Sequence, residues 1–191
     1  GVSQRGVIAV SNNITILGID PGSLATGYGV IVSNGVQHQH VAHGVVRMKA
    51  ELSMPERLKV IFTGVTELIQ TYQPQQFAIE QVFMDKDPSA ALKLGQARGA
   101  AIVAAMMQNV TVYEYSPNRI KQSLVGAGHA DKSQVAFMVS KLLNLTDKMP
   151  ADATDALAIA LCHAHHGTQA TSTLAVLDQM KPRKSKGRYW R

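Results

Sequence analysis

Residues 16–22 read "ILGIDPG". Four residues suited to a buried strand lead straight into a carboxylate, Asp20, and then into a Pro-Gly turn. A buried charge without a partner costs several kcal/mol, so something must neutralise this one. The pattern recurs in "FAIEQVF" (77–83), where an apolar strand runs into Glu80. It recurs again in "PADATDALAIALCHA" (150–164), where Asp152 and Asp155 precede a strongly apolar helix. Their i, i+3 spacing puts both acids on one helical face.

Each acid alone has an ordinary reading. Asp20 before Pro-Gly could form a turn. Asp152, after Pro150, could cap a helix or meet its dipole. Glu80 could pair with a buried arginine. Taken together, two strand-end carboxylates and two on a helix face point to a shared divalent metal. Oxygen ligands without supporting cysteines favour Mg²⁺ or Mn²⁺ over zinc. Two such ions roughly 4 Å apart would activate a water and stabilise a leaving oxygen, as in phosphate chemistry.

The chain around these acids reads as alternating strands and helices. "ITILGID" (14–20), "TGYGVIVSN" (26–34) and "VQHQHVAHGVVRMK" (36–49) form an antiparallel meander, with Gly27 and Gly29 allowing close backbone approach. Apolar residues at helical spacing, Leu58, Ile61, Phe62, Val65, Leu68 and Ile69, predict a helix over 54–73, ended by Pro74. A short buried strand follows at 76–83. A long Ala-rich helix spans 88–109, with Gly95, Gly99, Ala100 and Ala104 as a smooth face open to another helix. A fifth strand lies at 110–116, and helices at about 117–125, 131–144 and 151–166. This order predicts a five-stranded mixed sheet flanked by helices, an α/β domain over 14–166.

The 191 residues suffice for one domain with a core, and 46% hydrophobic against 17% charged composition is that of a soluble globular chain. No uncharged run reaches the ~18 residues of a membrane span, so no membrane partner is expected. The opening "GVSQRGVIAVSNN" (1–13) lacks a signal-peptide pattern and is expected to be flexible. The single cysteine, Cys162, excludes an internal disulfide, agrees with a reducing, cytoplasmic setting, and reads as a core thiol. Net charge is +6, yet residues 167–191 hold six Lys/Arg and one Asp, leaving thirteen Lys/Arg and twelve Asp/Glu in 1–166. The basic excess thus sits in a tail expected to be disordered, suited to phosphate backbones or to solubility alone.

The meander, the strand-end Asp and the paired acids on the last helix resemble the ribonuclease H-like nucleases. Four longer segments are more specific: "ILGIDPGSLATGYGVI" (16–31), "FAIEQVFMDKDPSAALKLGQARGAAIVAA" (77–105), "YSPNRIKQSLVGAGHADKSQV" (115–135) and "ADATDALAIALCHAH" (151–165). They resemble the bacterial RuvC Holliday-junction resolvase family, over about residues 14–166. That resemblance implies a ribonuclease H-like fold, with Asp20, Glu80, Asp152 and Asp155 as catalytic metal ligands for two Mg²⁺ ions, Mn²⁺ being a substitute. Some family members carry His at the first helix acid; here it is Asp152. The implied reaction is in-line hydrolysis of a DNA phosphodiester, leaving a 5′-phosphate and a 3′-hydroxyl. Four carboxylates cannot all stay ionised together without cations, which agrees.

The resemblance also implies cations beside the site: Lys121 and Lys132, with Lys93, Arg98 and Arg119 as further residues of a phosphate track. It implies an aromatic, Phe83, presented to junction bases for stacking. It implies a homodimer suited to the two-fold symmetry of a four-way DNA junction, the helix over 88–109 being the candidate contact, and work alongside a RuvA–RuvB branch-migration machine in the bacterial cytoplasm. His38 and His40 share a strand face by period two and, with His43, read as surface residues. His163, His165 and His166 are read as ending the last helix, without chemistry. The competing functions are a non-catalytic junction-binding protein of the same fold and a related nuclease acting on RNA. An actin-like ATPase would need a second, duplicated domain.

Overall fold

The computed structural model describes residues 12–84, 86–126 and 130–179. Its elements are β1 (Ile14–Asp20), β2 (Ala25–Ser33), β3 (His38–Arg47), α1 (Met54–Tyr72), β4 (Gln76–Glu80), α2 (Pro88–Met107), β5 (Thr111–Tyr115), α3 (Pro117–Val125), α4 (Lys132–Leu143) and α5 (Ala151–Gln179). The sheet order is β3-β2-β1-β4-β5. β1, β2 and β3 are antiparallel neighbours, whereas β4 runs parallel to both β1 and β5. The expected mixed sheet of meander plus parallel strands is thus present.

The sheet separates two cores, because alternate side chains of a strand point to opposite faces. On one face Leu17, Ile19, Phe77 and Ile79 pack with α1 and with Ala97, Ala101, Ala104 and Ala105 of α2. On the other, Ile16, Ile31 and Ala78 meet α3, α4 and α5. Local chemistry fixes the helix starts. Ser53 and Glu56 form a capping box for α1, Asp131 and Gln134 form one for α4, and Asp87 caps α2 just before Pro88.

Helix α5 lies against a sheet surface cleared of side chains. A Cβ on Gly18 would stand 2.2 Å from the Ala156 carbonyl, one on Gly27 2.0 Å from the Asp152 carbonyl, and one on Gly29 2.6 Å from Leu157. The helix answers with Ala153, Ala156 and Ala160, all fully buried.

Three expectations change. The last helix does not stop at 166 but continues to Gln179, so His163, His165 and His166 lie within it rather than at its end. The smooth face of α2 divides: Ala104 is buried in the core, whereas no atom lies within 4 Å of a Cβ built on Gly95 or Gly99. A β-bulge between His40 and Ala42 cancels one step of alternation, so His43 joins His38 and His40 on the α5 face. There these histidines are half-buried, and His38 meets the ring of His165. The flexible opening was expected over residues 1–13 and the disordered tail over 167–191; α5 takes up 167–179 of that tail, while 1–11 and 180–191 lie outside the described residues.

Adding one methyl under α5 tests this packing. Gly18→Ala is expected to destabilise the protein by about 3 kcal/mol, because both sides of the contact are backbone and neither can yield. Urea denaturation against wild type measures it.

Candidate active site

Asp20 ends β1 and Glu80 ends β4, and the register Ile19↔Ile79 sets these parallel strands level. Both acids project toward α5, since their neighbours Ile19 and Ile79 face the opposite core. Gly27 is paired directly with Asp20, and over it lies the backbone of Asp152. The cleared sheet surface therefore lowers the first turn of α5 onto the end of β1. Carboxylate oxygens of Asp20, Asp152 and Asp155 come within 4.8 Å of one another. Glu80 stands beside this trio rather than in it, and shares a cleft of about 140 Å³ with Asp155, Lys121 and Lys132.

The electrostatics match a cluster short of positive charge. Burial, and then the charges of Asp155, Glu80 and Asp152, push the Asp20 carboxyl up to about 8, against a small opposing pull from Lys132. Burial also raises Glu80 and Asp155, with Lys132 opposing both. The Lys132 ammonium lies 3.9 Å from Asp155 Oδ2. Among the described residues this is the only ion pair made by the acids, so none of the four is already neutralised by an arginine. Lys132, with Lys121 near Glu80, cannot balance four acids. An all-oxygen set of half-buried carboxylates fits a hard divalent cation, which would bind where protons otherwise must.

The other expected site residues take up different places. Lys121, on α3, and Lys132, the first residue of α4, border the acids. Phe83 stands three residues beyond Glu80 with 62% of its surface exposed. Lys93 and Arg119 are exposed, the latter near Tyr115 and Cys162 at the start of α3. Arg98, expected on a phosphate track, is engaged within the protein: its Nε donates to the Glu80 carbonyl at 3.0 Å and its Nη2 pairs with Glu114. Cys162 is a buried thiol that burial raises to about 11. His163 is also buried, hydrogen-bonded to Tyr115 Oη and Gln76 Oε1, and desolvation lowers it to about 4. It ties α5 to β5 and to the start of β4, about two helical turns beyond Asp155. Its place in the most apolar part of the helix was the one available hint.

A family model described as crossover junction endodeoxyribonuclease RuvC matches residues 16–163. The chain belongs to the RuvC family. It is 54% identical over 164 residues to the RuvC of Histophilus somni, covering 84% of this chain and 86% of that protein. It is 59% identical over 150 residues to the RuvC of Pseudoalteromonas atlantica, covering 78% and 86%. The solved structure of Thermus thermophilus RuvC in complex with a Holliday junction substrate superposes with a TM-score of 0.78 at 37% identity, covering 83% of this chain and 97% of that one. The RuvC proteins are metal-dependent nucleases of ribonuclease H-like fold, and the acidic cluster lies inside the matched segment.

The raised Asp20 has a pH consequence. The unfolded chain loses this proton near pH 3.8, the folded protein only near 8. Stability from the protonated form is therefore complete below the lower value and lost as pH rises through the higher one. In metal-free protein Tm is expected to fall between pH 6 and 9, and Asp20→Asn to flatten that fall and raise Tm at pH 9 by on the order of 5 °C. Calorimetry with and without Mg²⁺ checks both, with the metal-induced gain in wild type largest at pH 9.

Proposed function

We propose that this chain is a metal-dependent endonuclease that resolves four-way DNA junctions by paired, symmetric nicks, in recombination and repair. The observation that carries this reading is the convergence of Asp20, Asp152 and Asp155, with Glu80 alongside, at the carboxyl ends of two parallel strands. Bound divalent cations, two Mg²⁺ per site in this reading with Mn²⁺ as a substitute, would supply Lewis-acid stabilisation of the attacking and leaving oxygens. The protein's own groups do the rest. The four carboxylates would hold the cations, whose charge would draw in the scissile phosphate that the carboxylates alone repel. Lys132 beside Asp155 and Lys121 beside Glu80 offset charge building on that phosphate. Phe83, exposed on the loop after β4, stacks on an unpaired base at the crossover. Lys93 and Arg119 hold flanking backbone. Residues 14–166 form the nuclease body, and the bacterial cytoplasm, beside a RuvA–RuvB machine, is its setting.

The reading includes a homodimer. On α2, Leu92, Val103 and Met106 are 67%, 52% and 57% exposed, and Gly95 and Gly99 lie between them on the same face. At helical spacing these residues form one apolar stripe, a surface that water disfavours and a second copy would cover. Large residues, rather than the alanines, carry it. Two copies related by a two-fold axis would present two acid clusters to two opposed strands of a junction.

Incubation with a labelled four-way junction, a linear duplex and an RNA duplex tests the activity. Symmetric nicks in the junction alone, abolished by EDTA and by Asp155→Asn, are the expected result. Phe83→Ala should bind the junction but cut at least tenfold more slowly. Binding without cutting would make this a junction-binding protein, and cutting of the RNA would make it a ribonuclease. For the dimer, Met106→Glu is expected to yield a monomer by sedimentation, with single rather than paired nicks.

A further inference from the structure

Beyond its apolar packing on β4, helix α2 hydrogen-bonds to the end of that strand through Arg98. Arg98 is 19% exposed and sits one position past Ala97, which is fully buried in the α1–α2 core. Its Nε donates to the main-chain carbonyl of Glu80 at 3.0 Å, while Nη2 pairs with Glu114 on β5. At Glu80 the sheet holds β4 on one side only. The pairing with β1 ends at Ile19↔Ile79, leaving β5 on one side, where Gln81 N donates to the Tyr115 carbonyl at 2.8 Å.

The guanidinium grips this strand end from the face opposite the acids. Phe77 and Ile79 face α2, so Glu80 sends its carboxylate to the other side, where Asp155, Lys132 and Lys121 are the charges that act on it. Arg98 therefore meets the backbone of Glu80 and not its carboxylate. A planar fork donating in two fixed directions suits that task, and a lysine cannot reproduce it.

We infer that Arg98 is a positioning residue: it fixes the end of β4, and with it the stance of the Glu80 carboxylate toward Asp20 and Asp155, while Glu114 holds the guanidinium in register. The inference rests on Glu80 being a metal ligand in the proposed nuclease. It replaces the expectation that Arg98 lines a phosphate track. Residues that orient metal ligands change metal affinity when altered, typically by 10–100-fold.

The test compares wild type, Arg98→Lys, Arg98→Gln and Glu114→Gln. Calorimetric titration with Mn²⁺, without DNA, is expected to show affinity about tenfold weaker in all three variants. In junction cleavage the half-saturating Mg²⁺ concentration should rise by a similar factor, with most of the maximal rate recovered at high Mg²⁺. Junction affinity in EDTA, and its salt dependence, should match wild type. A phosphate contact gives the opposite pattern: Arg98→Gln binds junction more weakly with a shallower salt slope, Glu114→Gln does not weaken binding, and metal affinity stays the same. That pattern overturns the inference. Should the Arg98 variants fail to fold, Glu114→Gln decides alone, since it leaves the Glu80 contact in place and removes only the guanidinium's partner. Unchanged Mn²⁺ affinity in a folded Glu114→Gln, beside a wild type that binds Mn²⁺ and cuts, defeats the positioning role only. A wild type that neither binds Mn²⁺ nor cuts junctions defeats the proposed function with it.

Discussion

The geometry of this molecule depends on helix α5 lying backbone to backbone on strands β1 and β2. Gly18, Gly27 and Gly29 leave no side chain between helix and sheet, and buried alanines on the helix complete the contact. Interdigitating side chains normally fill the space between a helix and the sheet it packs on. Here the gap is closed at one end, and that end carries Asp152 and Asp155. A single methyl on Gly27 would collide with the Asp152 carbonyl, so the packing of the core and the spacing of the acids are one constraint. Removing it would lift the helix acids away from Asp20 before any charge was altered.

That arrangement has an electrostatic cost. Bringing Asp20, Asp152 and Asp155 together where burial already disfavours ionisation raises the Asp20 carboxyl to about 8. The surrounding fold must hold the groups against their repulsion. It does so with rigid parts: a parallel strand pair under Asp20 and Glu80, a helix pinned from behind by the buried His163 between Tyr115 and Gln76, and Arg98 at the end of β4. A cation then binds to a preformed set of oxygens rather than assembling them, so the repulsion stored in the metal-free protein is relieved on binding.

Much of this was legible in the sequence, and for physical reasons. Buried strands show as apolar runs, helices as 3.6-residue periodicity, and an acid at the end of an oily strand is conspicuous because it is expensive. Gly27 and Gly29 could be read as points of close approach without knowing what approaches. The remainder depended on contacts between residues far apart in the chain. Arg98 looked like any cation on a helix, and only the fold sets it against the Glu80 carbonyl and Glu114. His163 lies 87 residues from its partner Gln76, and no local pattern links them. The bulge that turns His43 onto the α5 face has no signature in "HQHVAHG" (38–44). On α2, periodicity marked a face but not which of two faces the core would take. The alanines went inward because α1 packs close there, leaving Leu92, Val103 and Met106 outside.

The placement of the outward features bears on how one molecule can meet a large branched substrate. The lysines that border the acids come from α3 and α4, on the α5 side of the sheet. The apolar stripe comes from α2, on the other side. Between them runs the loop that leaves β4 after Glu80, carries Phe83, and enters α2 at the Asp87 cap. In the proposed dimer a second copy seated on α2 would leave the acids uncovered and bring two such loops toward the symmetry axis. In that proposed assembly the aromatic rings would face the centre of the junction, with the carboxylates to either side. On this proposal self-association and cutting would occupy opposite faces of one five-stranded sheet, so that a second copy need not compete with the substrate for the same surface.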